Sequence, residues 1–230
     1  MRKIHNPFRD LSIFERILWL SSLLIVTISF CFSPEKSVLN LFASLVGVTA
    51  LIFIAKGYVI GQILIVVFAV LYGIISFQFK YYGEMFTYVF MSLPMAIMSI
   101  FSWIRHPYKE TKAVKVHKIR AKEIALMLAL MVIVTFGFYF VLRALGTANL
   151  TFSTISVATT FIAVFLTFMR SPYYALGYTA NDLVLIVLWT LASTKNTAYI
   201  PMIFCFVVFL VNDIYGFISW KRMEKYQRQD

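Results

Sequence analysis

Two Asn-Asp pairs, Asn181-Asp182 and Asn212-Asp213, carry the side chains with the clearest chemical potential in this sequence. Each pair lies within a long apolar stretch, seven residues from one end of it, which places the aspartates about 10 Å deep in a helix. A charged side chain at the centre of a membrane helix costs about 2.5–3.5 kcal/mol, so such groups usually line a cavity. Carboxylates and amides at matching depth predict a binding site for a polar or cationic solute.

Helical spacing places aromatic side chains beside these pairs. Three faces are predicted: Tyr178, Asp182 and Trp189 on one helix; Asn212, Tyr215 and Ser219 on another, with Phe209 at its edge; and Tyr72, Ser76 and Phe79 on a third, with Gln78 near its outer end. Aromatic rings attract desolvated cations by up to about 2 kcal/mol, and amides orient a ligand. The predicted site therefore comprises Tyr72, Gln78, Asn181, Asp182, Trp189, Asn212 and Tyr215. Asp213 lies about 100° around the helix from Asn212 and is expected to bind a neighbouring backbone group.

Other chemistries find little support in the sequence. The histidines His5, His106 and His117 lie in polar stretches without the spacing of metal ligands. No Gly-rich phosphate loop is present, and no Ser, His and Asp set falls at one depth. We therefore expect no metal, no cofactor and no enzymatic activity.

The elements that must position the site are long apolar helices. Of the 230 residues, 61% are hydrophobic and only 13% are charged, and the mean hydropathy is +0.83. Eight apolar blocks are long enough to cross a hydrocarbon core of about 30 Å. They are Ile13–Phe32, Val38–Ala55, Tyr58–Phe79, Met85–Trp103, Ile124–Leu145, Leu150–Met169, Ala175–Ala192 and Ile200–Trp220. This pattern predicts an all-α integral membrane protein with eight transmembrane helices.

The basic residues indicate the orientation of these helices. If all eight blocks cross, 17 of the 21 Lys and Arg residues share the side of the amino terminus, and only Lys36, Lys80, Arg143 and Lys195 lie opposite. Positive-inside sorting then places both termini in the cytoplasm. Seven basic residues lie between Arg105 and Lys122, where an RNA or anionic-lipid contact is an alternative to a simple topology signal. We favour the topology signal and expect no nucleic-acid partner.

An internal repeat is indicated by two similar helix ends. Ser102-Trp103-Ile104-Arg105 and Ser219-Trp220-Lys221-Arg222 lie 117 residues apart, and this offset superposes helices two to four on helices six to eight. The predicted organisation is an amino-terminal arm with a peripheral helix, a first triplet, a basic loop with a linking helix, a second triplet and a tail, over 1–35, 36–105, 106–149, 150–222 and 223–230. Like-oriented triplets on either side of one linking helix are typical of transporters. Trp103 and Trp220 are interpreted as anchors at the membrane surface.

Residues 36–225 resemble the PnuC family of nicotinamide riboside transporters. The resemblance rests on Leu71–Gln78 with Tyr82-Gly83-Glu84, and on the more specific stretch Phe209–Trp220. It implies a bacterial inner-membrane carrier similar to a full-length version of the SWEET sugar-transporter fold, assembled as a homotrimer. It also implies import of nicotinamide riboside by facilitated diffusion. The chain departs from the family at Tyr174 and Tyr178, where many members have tryptophan.

The resemblance assigns a role to each residue of the predicted site. Trp189 and Tyr215 would stack on the pyridinium ring, Asn181 and Asn212 would bind the amide or ribose, and Asp182 would pair with the ribose or the charge. Tyr72 and Gln78 would close the opposite wall. Two alternatives remain: a carrier for a related vitamin such as thiamine or riboflavin, and a membrane scaffold that recruits a cytoplasmic partner through the basic loop.

Overall fold

The computed structural model describes residues 6–33, 37–78, 81–147 and 149–229 and consists mainly of eight long helices. They are α1 (Ile13–Cys31), α2 (Val38–Ala55), α3 (Val59–Gln78), α4 (Tyr82–Arg105), α5 (Ala121–Ala144), α6 (Leu150–Phe168), α7 (Tyr174–Ser193) and α8 (Ile200–Gln229). All eight are long and apolar enough to cross a membrane, which confirms the predicted fold class. His5, Lys36, Phe79 and Lys80, which the sequence predictions include, lie outside the described residues.

Six of the helices form a ring. In order around it, α2 packs on α3, α3 on α4, α4 on α6, α6 on α7, α7 on α8, and α8 returns to α2. Helix α1 packs outside the ring against α2 and α8, and α5 packs outside against α6. The triplets α2–α4 and α6–α8 therefore meet along two seams, α4–α6 and α8–α2. We call the end of the ring that carries both chain termini the terminal side, and the opposite end the far side.

Equivalent hydrogen bonds close the two seams on the terminal side. The indole of Trp103 donates to the carbonyl of Thr167 at 3.0 Å, and the indole of Trp220 donates to the carbonyl of Ile54 at 2.8 Å. The preceding serines repeat the pattern, Ser102 with Phe168 and Ser219 with Ala55. Both indoles are almost fully buried, and their ring centroids lie 5.4 Å apart. The expectation that these tryptophans anchor the membrane surface is therefore corrected, because each binds the opposite triplet.

The register of the repeat differs from the uniform offset of the sequence alignment. Trp103 and Trp220 are 117 residues apart, but their partners Thr167 and Ile54 are only 113 apart. Gly57 and Arg170, also 113 apart, each make a left-handed turn just after α2 and α6, with φ of 68° and 56°. The α2–α6 alignment thus shifts by four residues, about one helical turn.

Helix α4 changes its winding in the middle of the membrane. It is α-helical over Tyr82–Thr87, π-helical over Tyr88–Ser92 and α-helical again over Leu93–Arg105. Pro94 explains the change, because a proline lacks an amide hydrogen and its ring clashes with the carbonyl four residues earlier. Such π-helical turns are frequent at functional sites.

The basic loop between α4 and α5 lies across the terminal side. The amide of Val114 donates to the carbonyl of Gly57, and the amide of His117 donates to the carbonyl of Arg170, both at 3.0 Å. The side chain of Gln227 binds the same loop through the backbone of Val114 and Val116. The loop is therefore held against the ends of both triplets.

Candidate functional site

A small chamber lies at the centre of the ring, between the two seams. Every ring helix contributes to its wall, whereas α1 and α5 contribute none of the lining found among the described residues. The lining residues are Leu51, Ile54, Ile65, Phe68, Ala69, Tyr88, Ser92, Thr160, Tyr174, Tyr178, Asn181, Asp182, Phe206, Phe209 and Asp213. The cavity volume is about 40 Å³. Since one water molecule needs about 10–15 Å³ on this measure, the chamber has room for a few waters and is contracted.

Two carboxyl groups face each other in this chamber. Asp182 of α7 is 3% exposed and Asp213 of α8 is 2% exposed, and the two groups are close enough to interact directly. The Oδ2 atom of each has no hydrogen-bond partner within the described ranges. Like charges at this distance repel each other, so the pair is stabilised by a proton shared between the two groups or by a cation bound between them. The lining residues among the described ranges include no Lys, Arg or His.

Asn181 is oriented by hydroxyl groups of the neighbouring helix. Its Oδ1 atom lies 3.2, 3.0 and 2.9 Å from the hydroxyls of Ser156, Thr159 and Thr160 on α6. Asn181 is 2% exposed, and it borders the chamber beside Asp182. The structure therefore brings Asn181 and Asp182 together at the chamber, next to Tyr178.

Tyr72 and Trp189 lie on the far side of the chamber. The Tyr72 ring contacts two lining residues, Tyr88 at 4.4 Å and Phe206 at 6.1 Å between centroids. Trp189 stacks obliquely against Tyr81 and Tyr199, at 4.9 and 5.6 Å. We call Tyr72, Tyr81, Trp189 and Tyr199 the far aromatic layer.

The far aromatic layer carries two buried polar groups, on Tyr72 and Trp189, that lie close to each other. The Tyr72 hydroxyl and the Trp189 indole N–H lie close enough to interact with each other, and neither has another hydrogen-bond partner within the described part of the chain. Burial, together with Tyr199, raises the pKa of Tyr81 to about 12, so this hydroxyl stays neutral at physiological pH. The layer therefore presents neutral aromatic groups to any solute that enters from the far side.

A second aromatic layer closes the chamber on the terminal side. Tyr174, which lines the chamber, lies 5.0 Å from Trp220 between ring centroids, and Trp220 in turn contacts Trp103. The chamber is thus enclosed between two aromatic layers.

Asn212 and Tyr215 do not reach the chamber, in contrast to the sequence prediction. The Asn212 amide nitrogen donates to Ser22 of α1 at 3.0 Å, and the Tyr215 hydroxyl donates to Glu15 of α1 at 2.9 Å. These residues share a face of α8, as predicted, but that face packs on the peripheral helix. Asp213, which the sequence analysis directed away from the solute, occupies the chamber instead, because the position of α1 decides which face of α8 is inside.

Gln78 also lies away from the chamber. It is the last residue of α3, and its side chain is exposed on the far side. The residues of α3 that line the chamber, Ile65, Phe68 and Ala69, lie nearer the terminal side than Gln78 does. Gln78 therefore does not form part of the chamber wall, in contrast to the prediction from the sequence.

Several lining residues were missed by the sequence analysis. Tyr88 and Ser92 of α4 lie four residues apart and share a face, and Phe68 packs edge-on against Tyr88 at 6.0 Å. Thr160 was missed among the many hydroxyl residues of α6. The four-residue spacing of Tyr88 and Ser92 is present in the sequence. It does not stand out, because the residues around them in α4 are mostly apolar.

The sequence matches the model of a known protein family. A model described as nicotinamide mononucleotide transporter matches residues 37–222. The chain belongs to this family. The match covers α2 to α7 and α8 as far as Arg222, and it begins after α1.

Individual relatives agree with the family. Two proteins named nicotinamide riboside transporter PnuC are similar to the chain. The one from Neisseria mucosa is 28% identical over 92% of this chain and 82% of its own length, and the one from Haemophilus influenzae is 22% identical over 91% and 90%. A solved structure described as the crystal structure of the vitamin B3 transporter PnuC superposes with a TM-score of 0.82 and 25% identity, covering 94% of both chains.

Proposed function

We propose that this protein transports nicotinamide riboside across a membrane through the central chamber, by facilitated diffusion. Membership of the transporter family and the names of both relatives support this function. The observation that carries it is the pair of buried carboxyl groups, Asp182 and Asp213, in a chamber that all six ring helices build. Nicotinamide riboside has a cationic pyridinium ring, which matches a site with carboxyl groups and aromatic rings.

The charge of the chamber favours the riboside over the phosphorylated mononucleotide. Phosphate is usually bound by Arg, Lys or a helix amino terminus. The chamber offers two carboxyl groups, and the described lining has no basic side chain. A phosphate group would therefore be repelled, although the family description names the mononucleotide.

Within the chamber, we assign charge pairing to Asp182 and Asp213 and hydrogen bonding to Asn181. Phe68 and Tyr88 supply ring faces from the opposite triplet. Tyr72 and Trp189, which belong to the far aromatic layer, would contact the solute as it enters. Asn212, Tyr215 and Gln78 have no direct part in this proposal.

Transport requires the two triplets to move against each other. A cavity of about 40 Å³ cannot hold a nucleoside, so the chamber must expand, and one aromatic layer must open at a time. The seams α4–α6 and α8–α2 are the places where the triplets can separate. The π-helical turn Tyr88–Ser92 lies on one seam and lines the chamber, so a change in its winding would couple solute binding to opening.

Location and assembly form a further part of the proposal. The relatives come from bacteria, and the basic residues concentrate on the terminal side, which supports a bacterial inner membrane with both termini in the cytoplasm. Assembly as a homotrimer is carried over from the family resemblance. Among the described residues, the backbone of the basic loop is hydrogen-bonded to the ends of both triplets, which supports a fixed connection over a mobile segment that recruits a partner.

Uptake into liposomes tests the proposed function. Purified protein is reconstituted, and the entry of labelled nicotinamide riboside is measured without ATP, with empty liposomes as the blank. We expect saturable uptake that Asp182→Asn strongly reduces, whereas Asp10→Asn, which removes a carboxylate on the terminal side, leaves it unchanged. Excess unlabelled mononucleotide, thiamine and riboflavin are added separately as competitors. Failure to transport the riboside, with efficient uptake of any competitor, would replace the proposed substrate.

A further inference from the structure

We propose that Glu84, Tyr72 and Tyr88 form a second cation-binding site, which the substrate occupies on the far side of the chamber before it reaches the aspartate pair. This inference rests on the proposed function, since it concerns the path of the same pyridinium cation. It adds a carboxyl group from the first triplet to the two that the second triplet supplies.

Glu84 is a buried carboxyl group that forms no ion pair in the part of the chain that the structure describes. It is 2% exposed, and its Oε2 atom has no hydrogen-bond partner among the described residues. It lies in the first turn of α4, where glutamates often cap a helix, but no side chain caps this end. None of the ion pairs between described residues includes it. A role in stabilising the fold therefore does not explain why a carboxyl group is buried here.

The position of Glu84 continues the chamber toward the far side. Glu84, Tyr88 and Ser92 follow at intervals of four residues, so they lie along one face of α4. Tyr88 and Ser92 line the chamber. Glu84 is therefore about one helical turn beyond the lining, on the side from which a solute would enter.

Two aromatic rings complete the environment of Glu84. The carboxyl group lies close enough to the hydroxyl groups of Tyr72 and Tyr88 to interact electrostatically with both. The centroids of these rings are 4.4 Å apart, and the rings are inclined by 52°. A carboxyl group beside inclined tyrosine rings is an arrangement that attracts an organic cation, since both the charge and the ring faces favour it.

A comparison of charged and uncharged substrates tests this site. Uptake is measured for nicotinamide riboside and for its reduced 1,4-dihydro form, which keeps the ribose and the amide but has no positive charge. For Glu84→Gln, we expect kcat/KM for the cation to fall about tenfold, while uptake of the neutral form stays within about twofold of the unmodified protein. Glu84→Asp, which retains the charge, should keep most of the preference for the cation. Glu123→Gln removes a carboxyl group that binds His117 near the loop and serves as the control.

The ratio of the two substrates is measured in the same vesicles, so differences in the amount of folded protein cancel. If Glu84→Gln does not fold, the same ratio is measured for Glu84→Met, which also lacks the charge. If Glu84→Gln leaves the ratio of cation uptake to neutral-substrate uptake unchanged, the proposal is overturned. An equal loss of uptake for both substrates would likewise overturn it, because Glu84 would then only support the structure. If the unmodified protein does not transport the riboside at all, the proposed function fails instead.

Discussion

The two faces of α8 differ in how their polar groups are satisfied. On the face toward α1, the Asn212 amide nitrogen donates to Ser22 and the Tyr215 hydroxyl donates to Glu15, although the Asn212 Oδ1 atom has no partner among the described residues. On the face toward the chamber, Asp213 lies with Phe206 and Phe209, interacts with Asp182, and has an Oδ2 atom without a partner in the described part of the chain. Asn212 and Asp213 are neighbours in the chain, yet they face different environments because successive residues turn by about 100°.

This difference separates polar groups that join helices from those available to a ligand. Inside a membrane, an amide or hydroxyl that bonds a neighbouring helix contributes to packing. A buried carboxyl group without such a bond is costly, and functional sites are where such costs are usually found. We therefore expect the two faces to respond differently to substitution.

The largest effect is expected from Asp213→Asn on the chamber face. Removing the charge should lower kcat/KM for the riboside at least about 30-fold, equivalent to about 2 kcal/mol, because the cation loses a desolvated partner. Thermal unfolding should be unchanged or slightly higher, since the substitution also removes a buried charge without a counter-ion. Initial uptake rates in liposomes and unfolding in detergent measure the two properties.

A smaller effect, on stability alone, is expected from Glu15→Gln beside the α1 face. The Glu15 carboxylate binds Lys56, which follows α2, at 3.0 Å and accepts from Tyr215 of α8. Loss of the charge leaves Lys56 partly buried without its partner, and we expect the free energy of unfolding to fall by about 1–3 kcal/mol. Denaturant titration in mixed micelles measures it. If transport also falls more than about threefold at a temperature where the protein is folded, α1 takes part in the transport cycle and the comparison breaks down.

The smallest effect is expected from Asn212→Ala. The substitution removes the hydrogen bond to Ser22, and such bonds between membrane helices contribute about 0.6 kcal/mol on average. Uptake of the riboside should stay within about twofold. Ser22→Ala and the double variant complete a double-mutant cycle, and its coupling energy should equal the contribution of this hydrogen bond. A loss of uptake comparable to that of Asp213→Asn would place Asn212 in the site after all.

The sequence predicted more of the fold than of the site. Eight apolar stretches led to eight helices, and the Ser-Trp ends of α4 and α8 make equivalent bonds to the opposite triplet. The uniform 117-residue offset failed at α2 and α6, because the helices and their connections differ in length between the repeats. In the site, Asn181 and Asp182 reach the chamber, whereas Gln78 lies exposed at the end of its helix.

The sequence by itself determined which segments cross the membrane and which polar groups those segments bury, since hydropathy and helical periodicity are local properties. Only the tertiary structure decided the use of each buried group. Helix α1 packs against one face of α8 and provides partners for Asn212 and Tyr215, which leaves Asp213 for the chamber. Periodicity defines the faces of a helix, but the neighbour on each face is set by packing between residues far apart in the chain.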